Sequence, residues 1–165
     1  MTTIGVRPKK TILLAILLLL VSVTSAVADD QEKKDLRSIP WVGYNEGLAH
    51  ARDFDKPVFI HFTASWCKWC KKMKSETYTD PEVIRFMDEN FVAMMVDTEK
   101  LPTLARKYGV ESLPTLWFLD SQGNGLTSIE GYVGSEKLLR VLEYISTKAY
   151  EETDYKTWVR KHPSH

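Results

Sequence analysis

The most constraining feature of this chain is its only pair of cysteines, Cys67 and Cys70, which lie three residues apart. The residues just before them, 58–62, read Val-Phe-Ile-His-Phe and predict a continuous buried strand. Residues 66–76 have helical spacing, so the two thiols lie where a strand gives way to a helix. A bridge across so short a loop would stabilise little, which favours a redox site over a structural crosslink.

The first 28 residues have the pattern of a secretory signal peptide, 1–28. Arg7, Lys9 and Lys10 form a basic patch, residues 11–23 form an apolar run, and small residues precede the cleavage site. We therefore expect a cleaved signal and a periplasmic or secreted protein. An uncleaved membrane anchor is the alternative, although the apolar run is shorter than the ~20 residues that span a bilayer.

Cleavage would leave 137 of the 165 residues, which is enough for one domain with its own hydrophobic core. The signal contains three of the 22 basic residues and none of the 22 acidic ones, so the mature formal charge is −3. This balance gives no indication of nucleic-acid binding. We expect a flexible linker at 29–40, a folded domain at 41–150 and a tail at 151–165, which either docks or stays loose.

Strands and helices alternate along the folded part of the chain. The apolar patterns predict four strands, at 58–62, 91–96, 115–119 and 126–132. They predict helices at 44–54, 66–76, 101–108 and 135–150, and a further helix that begins at 80–82. This order predicts an α/β fold with a central mixed β-sheet flanked by helices on both faces.

The position of the thiols at a helix start predicts different roles for them. Cys67 would lie at the helix N-terminus, where unpaired N–H groups favour an anion over a neutral thiol. Lys68, followed by Lys71 and Lys72, adds positive charge beside it. Because the thiolate is the attacking species in thiol–disulfide exchange, Cys67 is the predicted nucleophile and Cys70, one turn deeper, the resolving thiol.

Three other uses of the two thiols stay open at this point. A zinc site needs four ligands, and the remaining candidates are His50, His61 and two histidines in the tail. A Cu(I)-handling chaperone would use both thiolates and His61, because soft sulfur suits Cu(I). A static disulfide is the third. We expect no cofactor and no stable metal in the working protein.

The chain resembles the thioredoxin superfamily over roughly residues 56–145. The resemblance is carried by Trp-Cys-x-x-Cys after a strand, by residues 107–110 and 112–115, and by Gly131. Within the superfamily, the chain is most similar to exported thioredoxin-like reductases in three short segments: Lys-Pro-Val at 56–58, Thr-Ala-Ser at 63–65 and Asp-Pro-Glu-Val at 80–83. These reductases include the C-terminal domain of the periplasmic electron-transfer reductase.

This resemblance implies a thioredoxin-like fold and a protein-disulfide oxidoreductase. It implies a cis Leu113–Pro114 peptide, with Pro114 facing the disulfide, binding an extended substrate segment and discouraging metal binding. Gly131 would lie beside the site. Trp66 would pack against it, whereas Trp69 would either contact partner proteins or cover the adjacent loop. The implied partners are disulfide-containing protein substrates and a membrane thiol reductant as electron donor.

Two departures from the family pattern concern the chemistry. His61 stands six residues before Cys67, where the family usually has a buried aspartate that helps to move the proton of the resolving thiol. His61 is therefore a candidate proton acceptor, and a core histidine satisfied by one hydrogen bond is the alternative. Lys68 and Trp69 separate the cysteines where strong periplasmic oxidases have Pro-His, so we expect a reductase. A thiol oxidase or isomerase and a non-catalytic interaction module are the rivals.

Overall fold

The computed structural model describes residues 38–163. The strands of this part are β1 (Val58–Thr63), β2 (Val92–Asp97), β3 (Thr115–Leu119) and β4 (Gly125–Glu130). Its α-helices are α1 (Tyr44–Phe54), α2 (Lys68–Lys72), α3 (Pro81–Asn90), α4 (Pro102–Lys107), α5 (Ser135–Ser146) and α6 (Tyr155–Lys161). A π-helix, Met73–Thr77, continues α2, and a 3₁₀-helix, Ala149–Glu151, follows α5.

The four strands form one mixed sheet in the order β2-β1-β3-β4. β1 pairs parallel with β2 and antiparallel with β3, and β4 pairs antiparallel with β3. All six residues of β1 are buried, because β1 has a strand on each side and a packed core on each face. A strand in this position needs apolar residues without alternation, as its sequence has. The predicted fold class is confirmed.

Alternating side chains of β1 divide the interior into two cores. Phe59 belongs to a larger core that contains the buried residues of α3 and α5. Ile60 belongs to a smaller core with the buried alanine of α1 and apolar residues of β2. Because side chains two apart on a strand share a face, His61 points to the same side of the sheet as Phe59. The larger core therefore surrounds the histidine that the sequence singles out.

The helix after the cysteines differs from the single helix predicted at 66–76. It begins at Lys68, and after Lys72 it widens into the π-helix Met73–Thr77. The N–H of Tyr78 donates to the carbonyl of Met73 at 2.9 Å, which is the five-residue span of a π turn. Single π turns within helices are frequent at functional sites. The predicted helix at 135–150 is also shorter in the structure, where α5 ends at Ser146.

The tail docks on the domain through aromatic rings. The carboxylate of Asp154 caps α6 by accepting the N–H of Thr157 at 2.9 Å. Trp158 is only 5% exposed, and its ring centroid lies 5.6 Å from that of Tyr144 on α5. The guanidinium of Arg140, also on α5, lies 5.6 Å from the Trp158 ring. The described part of the tail is therefore packed rather than loose.

The predicted signal peptide and most of the predicted linker lie outside the described residues. At the end of that linker Ile39 is 3% exposed and belongs to the larger core, so the chain is already packed on the domain there. Within residues 38–163 no helix combines the length and the apolar character needed to cross a bilayer.

Candidate active site

Cys67 stands at the junction between β1 and α2. Its N–H donates to the carbonyl of Ala64 at 3.2 Å, which closes the turn after the strand. Its backbone is extended, with φ −70° and ψ 102°, and its carbonyl accepts the N–H of Lys71 at 3.2 Å. These are the features of a helix N-cap, so the structure places this sulfur at a helix start, as the sequence predicts.

Cys67 and Cys70 form a disulfide with a Cα–Cα distance of 5.3 Å. The backbone N–H of Cys70 donates to the Sγ atom of Cys67 at 3.1 Å. A capping side chain normally accepts this N–H through oxygen, and a thiolate here would accept it as a charge-assisted hydrogen bond. The predicted closure of the pair is therefore confirmed, and the N–H that can stabilise an anion points to Cys67.

The loop before β3 and the end of β4 bring three further predicted residues together beside the site. The Leu113–Pro114 peptide is cis, as predicted, and Leu113 packs against the cluster formed by Ala64 and the two cysteines. The N–H of Gly131 donates to the carbonyl of Pro114 at 2.7 Å, which joins the end of β4 to this loop. Gly131 has φ 85°, a conformation that favours glycine. Direct contact of Pro114 with the disulfide stays a prediction.

The His61 side chain is fully buried and makes one hydrogen bond among the described residues. Its Nδ1 atom lies 2.5 Å from the hydroxyl of Tyr78, and its Nε2 atom has no hydrogen-bond partner among the described residues. Burial, with a smaller contribution from the charge of Lys74, lowers the pKa of His61 from 6.5 to about 3. The imidazole is therefore neutral at physiological pH and is a weak base. This environment favours the alternative interpretation, a core histidine, over a proton acceptor.

Tyr78, the hydrogen-bond partner of His61, was not identified by the sequence analysis. The π turn places it beneath the active-site helix, where it is 6% exposed and its ring lies 5.2 Å from that of Trp41. Burial raises the pKa of Tyr78 well above its usual value of 10, so its hydroxyl stays protonated. In the sequence Tyr78 is a single tyrosine just after the predicted helix, and nothing in that pattern indicates a hydrogen bond to a residue 17 positions earlier.

Comparison with known sequences identifies the family of this site. The thioredoxin-like domain family matches residues 44–146, which include both cysteines, the cis proline and Gly131. The chain belongs to the thioredoxin-like domain family. The solution structure of a thioredoxin from Thermus thermophilus superposes with a TM-score of 0.64 and 27% identity, over 78% of this chain and 99% of that one.

Two relatives of this thioredoxin-like protein are named for disulfide chemistry. The thiol:disulfide interchange protein DsbD of Yersinia pestis (strain Pestoides F) is 31% identical in an alignment of 93 residues, which covers 53% of this chain and 16% of that protein. The disulfide bond reductase DsbH of Chlamydia pneumoniae is 30% identical in an alignment of 101 residues, with a coverage of 54% of this chain and 61% of that protein. The chain thus spans less than two thirds of either relative.

Both tryptophans of the thioredoxin-like motif lie largely in solvent. Trp66 is 68% exposed, so most of its surface faces solvent and the prediction that it packs against the site is wrong for that part. Trp69 is 52% exposed, and its ring lies 5.9 Å from that of Tyr132 in the loop after β4. Trp69 therefore covers part of the neighbouring loop, and contact of its exposed part with partner proteins stays a prediction. The ammonium of Lys72 lies 4.8 Å from the Tyr132 ring and 5.5 Å from the Trp69 ring.

Lysines dominate the charge of the thioredoxin-like active-site helix. Lys68, Lys71 and Lys74 are exposed, and none of them forms an ion pair with another residue in the 38–163 range. The same range holds no group of three or more His, Cys, Asp or Glu side chains arranged to bind a metal ion.

Proposed function

We propose that this protein is an exported thiol–disulfide oxidoreductase that reduces disulfides in other proteins. The observation that carries the proposal is the Cys67–Cys70 disulfide at the start of α2, where the Cys70 N–H donates to the Cys67 sulfur. This arrangement holds two thiols at bonding distance and gives one of them a stabilising donor, which are the two requirements for rapid exchange.

The exchange begins from the reduced protein. The Cys67 thiolate attacks one sulfur of a substrate disulfide, so that a mixed disulfide forms and the other substrate sulfur leaves as a thiolate, which takes up a proton. Cys70 then loses its proton and attacks the Cys67 sulfur, which releases the second substrate thiol and forms the Cys67–Cys70 disulfide. Two electrons have passed to the substrate, and an external dithiol must return two electrons to the protein.

The substrate segment would lie beside the cis Leu113–Pro114 peptide. Pro114 is buried, and its carbonyl is occupied by the Gly131 N–H, so the backbone of this loop is held in place. An extended segment could add to the loop by strand-like hydrogen bonds. Because such hydrogen bonds involve the substrate backbone, this mode of binding is compatible with several protein substrates.

The compartment and the electron donor follow from the same proposal. The signal-like pattern of the first 28 residues supports export to a periplasmic or extracellular space, where the pair would be oxidised unless a reductant supplies electrons. A membrane thiol reductant is the proposed donor. The relative named as a disulfide bond reductase supports this direction of exchange.

Capture of covalent intermediates tests the function. We expect the Cys70→Ser variant to hold protein substrates as mixed disulfides at Cys67, and the matched Cys67→Ser variant to hold far fewer. The wild-type protein should reduce insulin with dithiothreitol as the electron source. Absence of mixed disulfides while Cys67 still reacts with small alkylating agents would argue against protein substrates.

The rival functions give different results in two measurements. A redox potential near that of thioredoxin, about −270 mV, supports a reductase, whereas about −120 mV supports an oxidase. A Cu(I) chaperone would bind one Cu(I) tightly through both thiols and show no turnover with insulin.

A further inference from the structure

The segment that holds the disulfide has exposed tryptophans and, within residues 38–163, lysines that form no ion pair. We call its exposed residues Trp66, Lys68, Trp69, Lys71 and Lys74 the lysine–tryptophan face. Large apolar side chains that are more than a third exposed are few in residues 38–163, and two of them are these tryptophans, at 68% and 52%. An exposed aromatic pair beside a reactive group is typical of a binding surface rather than of ordinary solvent-facing sequence.

Trp69 is held in its exposed position by neighbouring side chains. The Tyr132 hydroxyl donates to the Glu76 carboxylate at 2.8 Å, and the Lys72 ammonium lies 3.8 Å from that same carboxylate. The Lys72 ammonium also faces the Trp69 and Tyr132 rings. These contacts fix the ring before any partner arrives, which lowers the entropy lost on binding.

Three carboxylates of the active-site segment and the neighbouring loops have partners among the described residues, and only Glu76 is paired with a cation. Glu76 interacts with Lys72 and Tyr132, and the Glu99 carboxylate accepts the N–H of Ser65 at 2.9 Å. In the loop before the cis peptide, the hydroxyl of Ser112 donates to the Glu130 carboxylate at 2.6 Å.

The helical segment 68–77 carries four lysines and one glutamate, whereas the whole chain has a formal net charge of zero. The positive charge is therefore local to the active-site helix. A chain segment that docks on this helix comes within a Debye length of these lysines, about 8 to 10 Å, so salt does not screen their charge completely.

We propose that the lysine–tryptophan face selects protein disulfides whose flanking segment carries carboxylates together with an apolar side chain. The proposal rests on the proposed function and narrows its substrate class. Carboxylates of the partner would approach Lys68, Lys71 and Lys74, and the apolar side chain would cover Trp66 and the free part of Trp69. Opposite charges speed encounter and lower the KM, whereas a basic segment would be repelled.

Three synthetic peptides that differ only in flanking charge test this proposal. Each contains one intramolecular disulfide and one flanking leucine, and the flanks carry three glutamates, three glutamines or three lysines. The readout is kcat/KM for reduction by the full-length protein with dithiothreitol as the electron source. We expect the acidic peptide to exceed the neutral one by about fivefold at low salt, and the basic peptide to fall below it, with both differences shrinking at 0.5 M salt.

Two matched lysine variants locate the effect. Lys68→Gln/Lys71→Gln/Lys74→Gln should reduce the ratio of acidic to neutral peptide to about one, because it removes the local charge. Lys148→Gln/Lys156→Gln/Lys161→Gln changes the net charge equally outside the active-site helix and should keep the ratio.

The outcomes separate this proposal from the proposed function. Equal rates for all three peptides in the wild-type protein, or an acidic preference that survives in the active-site variant, would overturn the charge selection while the reductase function stands. Failure to reduce any of the peptides would count against the function itself.

Discussion

The burial of a neutral histidine makes the stability of this protein sensitive to acid. Burial lowers the pKa of His61 to about 3, whereas an unfolded chain would protonate it near 6.5. Between these two values the unfolded state binds a proton that the folded state does not. The contribution of His61 to the free energy of unfolding is therefore complete above about pH 6.5 and is lost as the pH falls toward 3.

The expected loss follows from the difference between the two pKa values. Each pH unit within the window lowers the free energy of unfolding by about 1.4 kcal/mol. Acidification from pH 7 to pH 5 should therefore cost about 2 kcal/mol through His61 alone. This is a large part of the stability of a domain of this size, which is on the order of 5–15 kcal/mol.

The His61→Leu variant isolates this effect. Urea unfolding of the oxidised wild type and of the variant at pH 7 and pH 5 gives four free energies, and the quantity of interest is the loss between the two pH values in each protein. The other histidines and the carboxylates titrate in both proteins and cancel. We expect the wild type to lose about 2 kcal/mol more than the variant. Equal losses would refute a neutral, buried His61.

Three further predictions concern single contacts. Tyr78→Phe removes the one hydrogen bond of the His61 side chain and should lower the free energy of unfolding, measured in urea at pH 7, by about 1–3 kcal/mol. An unchanged free energy of unfolding would contradict this hydrogen bond. Trp158→Ala should lower the free energy of unfolding by about 3–5 kcal/mol, because it leaves a cavity where the tail packs on α5. A loss below about 1 kcal/mol would mean that the tail is only loosely held. In reduced protein, the thiol pKa of Cys67 should be lower than that of Cys70, because the Cys70 N–H stabilises the Cys67 thiolate. The pH dependence of alkylation by iodoacetamide measures the first value in the Cys70→Ser variant and the second in the Cys67→Ser variant. The reverse order would contradict the assignment of this N–H to the Cys67 sulfur.

The parts of the fold that the sequence predicted are those determined by local patterns. The unbroken apolar run at 58–62 indicated a strand buried on both faces, and the proline after Asp80 indicated a helix start; β1 and α3 confirm them. The cysteine spacing indicated a pair that can close, because residues three apart at a helix start lie on one side. The cis Leu113–Pro114 peptide came from the resemblance alone, since no local pattern distinguishes it from an ordinary proline turn.

The parts that could not be predicted depend on contacts between distant segments. The π turn at Met73–Thr77 has no sequence pattern of its own, and it decides that Tyr78 reaches His61. The docking of Trp158 likewise depends on space beside Tyr144 on α5. The exposure of Trp66 ran against expectation, because an aromatic residue next to a reactive pair can either cover it or flank it and the choice is made by tertiary packing.

Groups that stabilise a Cys67 thiolate act in opposite directions on the two halves of the exchange cycle. They increase the fraction of attacking thiolate at neutral pH, but they also stabilise the reduced form and so weaken the pair as a reductant. The Cys70 N–H acts directly on the sulfur at 3.1 Å, whereas the exposed ammonium groups of Lys68 and Lys71 act through water and are screened by salt. His61 is neutral and adds no charge. A reductase can therefore carry these lysines with little change in its potential, and their main effect falls on the approach of a charged substrate.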